Sequence, residues 1–423
     1  MGKAALISLC ATVLSMLASI ATSVLVANQL GPEGRGIYAL VFVWATTLAA
    51  FGTLSIGDAV GVSIARNAPS AADKQESLSR GVIMQAVVGL AMLGPALLVF
   101  WLGIVGNDIP MQTSYMILAA VTVAAAALNL AYVNYHRSFN QQFRFNVNRA
   151  AFPAMFAAGL VFATAVLRHK LALNEVIFIF LCSAILAIAF NSFVARTLLL
   201  QVMTNLKSKG ARPQLSGFGV TLRAGLALHL TTILFYLTIN IDKFVASSLL
   251  SLKDFGVYSV AASIAQPASL LFTITIKTLL VGDTAVHDPN LRRARLSKLA
   301  ALTIVGTAVA SFTVWLVLQQ LVPLVFDREY ESVTYVAGWL LLGNFLTPLR
   351  SLVVEQARVR HQTWAAVFTE LVFVVAFYLA CRYLPWADGT SLYGAAFFLG
   401  NIVALTASGI VAARSIQVRR NTK

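Results

Sequence analysis

The chain has 423 residues, of which 59% are hydrophobic and 11% charged, with a formal net charge of +15 and a mean hydropathy of +0.80. Soluble domains are roughly 45–50% apolar and about 25% charged, so a chain this poor in polar side chains cannot cover itself in water. A pI of about 10.0 suggests nucleic-acid binding, but the placement of the basic residues along the chain excludes that reading.

Apolar runs of the length needed to cross roughly 30 Å of hydrocarbon at about 1.5 Å per residue fall at Ala5–Leu30, Ile37–Val60, Gly81–Ile104, Tyr115–Val133, Ala151–Leu167 and Glu175–Ala195. A second set follows at Ala224–Leu249, Val257–Val281, Ala300–Leu321, Val333–Val354, Trp364–Cys381 and Leu392–Val411. The first run is long for the apolar part of a secretory signal and a second run follows at once, so it is read as a retained helix. Cys10, Cys182 and Cys381 lie inside apolar runs without metal-ligand spacing and read as packing residues. Between the sixth and seventh runs, Leu198, Leu199, Val202, Met203 and Leu206 precede Lys207 and Lys209, and Gly210 and Pro213 follow. This pattern predicts a short surface helix and then a linker. It divides the chain into an N-terminal six-helix bundle, 1–207, and a C-terminal one, 208–423. The expected fold is an all-α polytopic membrane protein of about twelve helices.

Lys and Arg concentrate in loops left in the cytoplasm. With a cytoplasmic start, the inside segments hold one at Lys3, three between Arg66 and Arg80, three between Arg137 and Arg149 and five between Arg196 and Arg223. Four more lie between Arg292 and Lys298, two at Arg358 and Arg360, and four from Arg414 onward, 22 of the 31 in the chain. The outside segments hold Arg35, Arg168, Lys170, Lys253, Arg328 and Arg382. The basicity therefore reports topology: both termini are expected in the cytoplasm, and the inner face attracts anionic lipid headgroups without specificity.

Residues 30–40 read LGPEGRGIYAL, and residues 250–260, after the seventh run, read LSLKDFGVYSV. Leu30 and Leu250, Gly36 and Gly256, and Tyr38 and Tyr258 are each separated by 220 positions without a gap. Both copies fall at a tight outside turn entering the second helix of a half. Six helices per half insert both halves the same way up, which makes this a parallel repeat of the kind that builds two transporter bundles around a shared site. The alternative is that a turn needing Gly and an interfacial Tyr arose twice.

LGPEGRGIYAL, together with NIDKFVASSLLSLKDFGVYSVA at 240–261, resembles the Wzx-type polysaccharide flippases of the multidrug/oligosaccharidyl-lipid/polysaccharide exporter superfamily. Length and helix count agree with that family over essentially the whole chain. The resemblance implies two six-helix repeats forming a V-shaped bundle pair in the bacterial inner membrane. The pair would flip an undecaprenyl-diphosphate-linked oligosaccharide for O-antigen, exopolysaccharide or capsule assembly by alternating access. It also implies a polysaccharide polymerase and a chain-length regulator as partners beside the lipid-linked substrate and membrane lipids.

Ionisable groups at membrane depth are costly and therefore candidates for function. Here they are Asp58, Asp242, Lys243, Lys277, Arg350, Glu355, Glu370 and His229. Lys277 and Arg350 are the expected contacts for the diphosphate, Arg as a bidentate fork and Lys as a point charge; the alternative is that both snorkel to the inner surface. Asp58 corresponds through the repeat to Thr278, beside Lys277, so Asp58 and Lys277 are expected to pair when the inner mouth closes. Asp242 and Lys243 are neighbours about 100° apart on a helix and are not expected to face each other. The resemblance makes Asp242 an ion or proton switch, with a structural bond to a Tyr or Asn on a neighbouring helix as the alternative. Glu370 and Glu355 either complete a cation path or neutralise Arg350, and His229 reads as a buried hydrogen-bonder. Tyr132 and Asn134 are expected to stack on and hydrogen-bond a sugar, or else to belong to the interfacial belt. Pro267 and Pro348 sit inside apolar runs and free backbone carbonyls there.

There is no GxxxxGK[ST], no HExxH and no GxSxG with triad partners. The chain is therefore expected to be no enzyme and to need no cofactor or metal. The rival functions are a cation-coupled drug antiporter of the same fold, a membrane-embedded polysaccharide polymerase or ligase, and a non-transporting assembly scaffold.

Overall fold

The computed structural model describes residues 3–52, 142–194, 216–283, 289–359, 363–384 and 391–421, with isolated positions between 55 and 98 and at 196, 200 and 389. Among these residues the secondary structure is helical: α1 (Lys3–Gly52), α2 (Gln142–Leu167), α3 (Leu173–Val194), α4 (Ser216–Leu249), α5 (Leu252–Asp283), α6 (Pro289–Val325), a 3-10 turn (Arg328–Tyr330), α7 (Val333–Asn344), α8 (Thr347–Val359), α9 (Thr363–Tyr383) and α10 (Ser391–Asn421). Eight stretches are long and apolar enough to cross a membrane. One of them, Val13–Leu48, combines the first two expected spans. The fourth expected span and nearly all of the third lie outside the described residues.

The first two spans are joined by a tight turn. α1 breaks only at Gly31, whose φ of 66° and ψ of 177° suit a residue without Cβ. Pro32 then begins the second arm, where its fixed φ fits the first helical turn and its missing N–H costs nothing. The second copy of the repeat makes its turn differently. Ser251 Oγ accepts from the Asp254 backbone N–H at 3.1 Å and donates to Asp254 Oδ2 at 2.6 Å, a side-chain cap on α5.

The chain divides into two compact units, residues 1–30 with 37–236, and residues 31–36 with 237–423. The division falls inside α4, and the six residues of the first turn belong with the C-terminal unit. In the first unit α2 and α3 pack as an antiparallel pair. Tyr38 and Phe42 of α1, Phe152 and Phe156 of α2 and Phe180 of α3 form one aromatic cluster, with centroids 5.0–6.5 Å apart. Leu171 N–H donates to Gln29 Oε1 at 2.9 Å, and Ala172 N–H donates to Glu175 Oε2 at 2.7 Å, tying down the turn between α2 and α3.

In the second unit α5, α7, α8, α9 and α10 pack together. Gly36 and Gly256, equivalent in the repeat, meet reciprocally: a Cβ on Gly36 would strike the Leu252 carbonyl, and one on Gly256 would strike the Pro32 carbonyl. Pro32 and Leu252 are also separated by 220 positions, so the contact is two-fold symmetric within the repeat. By contrast, Leu302, Val305, Val309, Phe312 and Leu324 of α6 are exposed. Such a face is stable only against hydrocarbon.

Candidate functional site

Among the described residues, every buried carboxylate and every buried Lys or Arg belongs to the second unit. They form two clusters besides Arg35.

The first cluster lies where α4 packs on α5. Tyr258, fully buried, donates its hydroxyl to Asp242 Oδ2 at 2.8 Å. The other carboxylate oxygen, Oδ1, accepts no hydrogen bond. Lys243 Nζ donates to Asn240 Oδ1 and Gln266 Oε1, each at 3.2 Å, and Gln266 Nε2 donates to the Ile239 carbonyl at 3.1 Å. Lys243 Nζ also reaches to 4.0 Å from Asp242 Oδ1. The expectation that these two neighbours stay apart is thus corrected at the limit of ion-pair distance. Adjacent side chains leave a helix about 100° apart, but the four-carbon stem of Lys243 lets its ammonium swing back toward Asp242. Tyr393 meets Tyr258 edge to face at 5.3 Å and closes the cluster.

The second cluster is built on a discontinuous helix. α7 ends at Asn344 and α8 starts at Thr347, with Pro348 in its first turn. Pro348 lacks an N–H and clashes with a preceding turn, which is why the span breaks there. Asn401 of α10, fully buried, donates Nδ2 across the break to the Gly343 carbonyl at 3.3 Å and Thr347 Oγ1 at 3.4 Å. The break sets Arg350 in the first turn of α8, inside the unit. Its guanidinium lies 3.6 Å over the centre of the Phe373 ring, and Nη1 is 3.5 Å from Glu370 Oε2. Neither Nη1 nor Oε2 makes a hydrogen bond. Arg350 is 2% exposed, so it does not snorkel to a surface. A cation held this way is compensated by one loose carboxylate and one aromatic face.

His229 lies in the first unit, buried, with Nδ1 3.4 Å from Ser55 Oγ. Lys277 is carried by α5, but its side chain lies outside the described residues, as do Asp58, Tyr132 and Asn134. No group of three or more His, Cys, Asp or Glu that could hold a metal occurs among the described residues.

Gln266, Phe373, Tyr393 and Asn401 are among the members of these clusters that sequence reasoning missed. Gln266 precedes a helix-interior proline and Asn401 is an amide in an apolar run, so polarity at membrane depth was a usable signal for both. Phe373 is one of 26 phenylalanines and carries no signal of its own.

The helical plan is that of a known group of membrane transporters. The structure superposes on an inward-facing multidrug resistance MATE family transporter of the MOP superfamily with a TM-score of 0.69 at 14% identity, covering 100% of both chains. It matches the lipid II flippase MurJ in an inward closed conformation with a TM-score of 0.73 at 13% identity, covering 96% of this chain and 87% of that one. A Vibrio cholerae MATE transporter gives 0.69 at 13%, over 98% and 96%. At these identities the likeness is one of fold. No curated protein matches the chain by sequence. Residues 1–281 match the model of a family described as polysaccharide biosynthesis proteins. The chain belongs to that family and is a multi-pass membrane protein.

Proposed function

We propose that the protein is a flippase that carries an undecaprenyl-diphosphate-linked oligosaccharide repeat unit across the bacterial inner membrane by alternating access, with both termini in the cytoplasm. The observation that carries this reading is the family match over residues 1–281. A polysaccharide family on a fold shared with a lipid II flippase points to a lipid-linked sugar. The product would serve O-antigen, exopolysaccharide or capsule assembly, handed to a polymerase and its chain-length regulator. Translocation of this kind makes and breaks no covalent bond, and the chain acts as a transporter and not as an enzyme.

A diphosphate entering hydrocarbon without compensating charge faces a cost on the order of 20 kcal/mol per ion in the idealised limit. Lys277 and Arg350 supply that compensation in this reading, with Tyr132 and Asn134 on the sugar. The loose Arg350–Glu370 pair supports an exchange in which the diphosphate displaces Glu370 and the guanidinium is never left alone. Asp242, with one carboxylate oxygen free of hydrogen bonds beside Lys243, supports ion or proton coupling, while Asp58 gates the inner mouth. The free oxygen of Asp242 also favours a second reading, a cation-coupled drug antiporter.

Reconstitution into vesicles with a fluorescent polyprenyl-diphosphate sugar decides between them. The flippase reading expects transbilayer transfer well above that of protein-free vesicles. Equal transfer, together with ion-driven efflux of an organic cation, would replace it with the antiporter.

A further inference from the structure

On the second unit, α6 and α7 leave between them a groove of about 830 Å³. Phe312, Trp315 and Gln319 line it from one face of α6, and Tyr335, Gly338 and Leu342 from one face of α7. Gly338 opens it. The Trp315 indole lies beside this glycine, with a Cβ built there 3.4 Å from Nε1, so any longer side chain would fill the space. Phe312 is 59% exposed, Tyr335 61% and Leu342 46%, so the groove is open along an apolar flank, which in a membrane-spanning unit is stable against hydrocarbon. From Glu331 to Phe345, both of which line it, the chain rises about 21 Å, longer than half of a roughly 30 Å hydrocarbon core. One acyl chain from one leaflet can lie along it.

The groove is not uniform along its length. At one end it meets the turn between α6 and α7, where Asp327, Arg328, Glu329 and Glu331 are all exposed and Glu331 itself forms part of the lining. Three carboxylates and one guanidinium follow one another in the exposed turn at this end of the apolar slot, and Glu331 is the one that lines it. That pattern complements a headgroup carrying an ammonium and a phosphate, with the ammonium toward the carboxylates and the phosphate toward Arg328. It disfavours a diphosphate, which would meet net negative charge, and a glycerol headgroup, which offers no cation.

We propose that this groove binds a phospholipid of the phosphatidylethanolamine type, one acyl chain lying against Phe312, Trp315 and Leu342 and the ammonium donating to Glu331. The proposal does not depend on what the protein transports. It makes the occupancy of α6 and α7 sensitive to the lipid composition of the leaflet that the 326–332 turn contacts.

Bromine on an acyl chain quenches tryptophan at contact. The full chain is reconstituted in phosphatidylcholine vesicles doped with dibrominated phosphatidylethanolamine or dibrominated phosphatidylglycerol, and the quenching that disappears in Trp315→Phe is assigned to the groove. One ammonium–carboxylate contact near the membrane surface corresponds to about a fivefold preference, so half-quenching is expected at about a fivefold lower mole fraction of the ethanolamine lipid. Glu331→Gln should erase the preference, and Gly338→Leu should abolish the Trp315 component with either lipid. Equal or stronger quenching by phosphatidylglycerol overturns the proposal, and so does a preference that survives Glu331→Gln. Relief of the quenching by unbrominated undecaprenyl phosphate at lower mole fraction than by unbrominated phosphatidylethanolamine also overturns it, assigning the groove to a polyprenyl tail. If either variant fails to fold, the ranking of lipids on the native protein decides.

Discussion

Tyr38 and Tyr258 occupy the same place in the two halves of the chain, yet they sit in opposite surroundings. Tyr38 is packed among Phe42, Phe156 and Phe180 in a cluster of rings. Tyr258 donates to the carboxylate of Asp242, whose counterpart at the repeat spacing is Thr22, bonded back to its own helix at the Ala18 carbonyl. The entry turns differ in the same way, one made by the backbone of Gly31 and Pro32, the other by the Ser251 side chain. A repeat can therefore preserve the positions of helices while its copies diverge in chemistry, the described part of the first unit keeping an aromatic interior and the second gathering buried charge. Such charge is costly to keep in a membrane, which is the reason to look for function in the second unit.

The largest effect should come from leaving one of those charges alone. Glu370→Gln keeps the shape but strands the Arg350 guanidinium, and the unfolding free energy in detergent should fall by about 3–5 kcal/mol. Arg350→Met combined with Glu370→Leu should recover most of that loss. If the single and double variants are equally unstable, the pair is not a unit. Next come the glycines where the two copies touch. Gly36→Val and Gly256→Val should each cost about 1–3 kcal/mol through overpacking, and the double variant should cost clearly less than the two together, because both relieve the same contact. Strict additivity would show that the reciprocal contact is absent in solution. Tyr258→Phe tests the point at which the copies diverge. Losing a hydrogen bond to a charged group should cost about 1.5–3 kcal/mol and change the pH dependence of transport, whereas unchanged stability would remove Tyr258 as the partner of Asp242.

The smallest effect lies in the first unit, at the turn between α2 and α3. His169 is raised above the usual histidine value, first by its hydrogen bond to the Leu167 carbonyl and then by Glu175, 3.4 Å away. A raised folded value places its contribution to stability fully below the unfolded value of about 6.5, lost as pH rises through the folded one. Glu175→Gln should lower the His169 titration midpoint followed by NMR. An unmoved midpoint would leave the carbonyl as the whole cause.

The amino-acid order by itself determined that the chain lives in a bilayer and marked the apolar stretches that the described helices follow, because burial in hydrocarbon demands apolar runs of a set length. It also singled out Asp242, Lys243, Arg350 and Glu370, because charge at membrane depth stands out against its neighbours. Only the tertiary structure decided what those charges meet. Tyr258 reaches Asp242 across 16 residues and Phe373 lies under Arg350, while Asn401 bridges a break 54 residues before it at Thr347. These partners come together through the packing of one helix on another, and packing of apolar helices leaves no periodic trace in the sequence that says which polar side chain will face which.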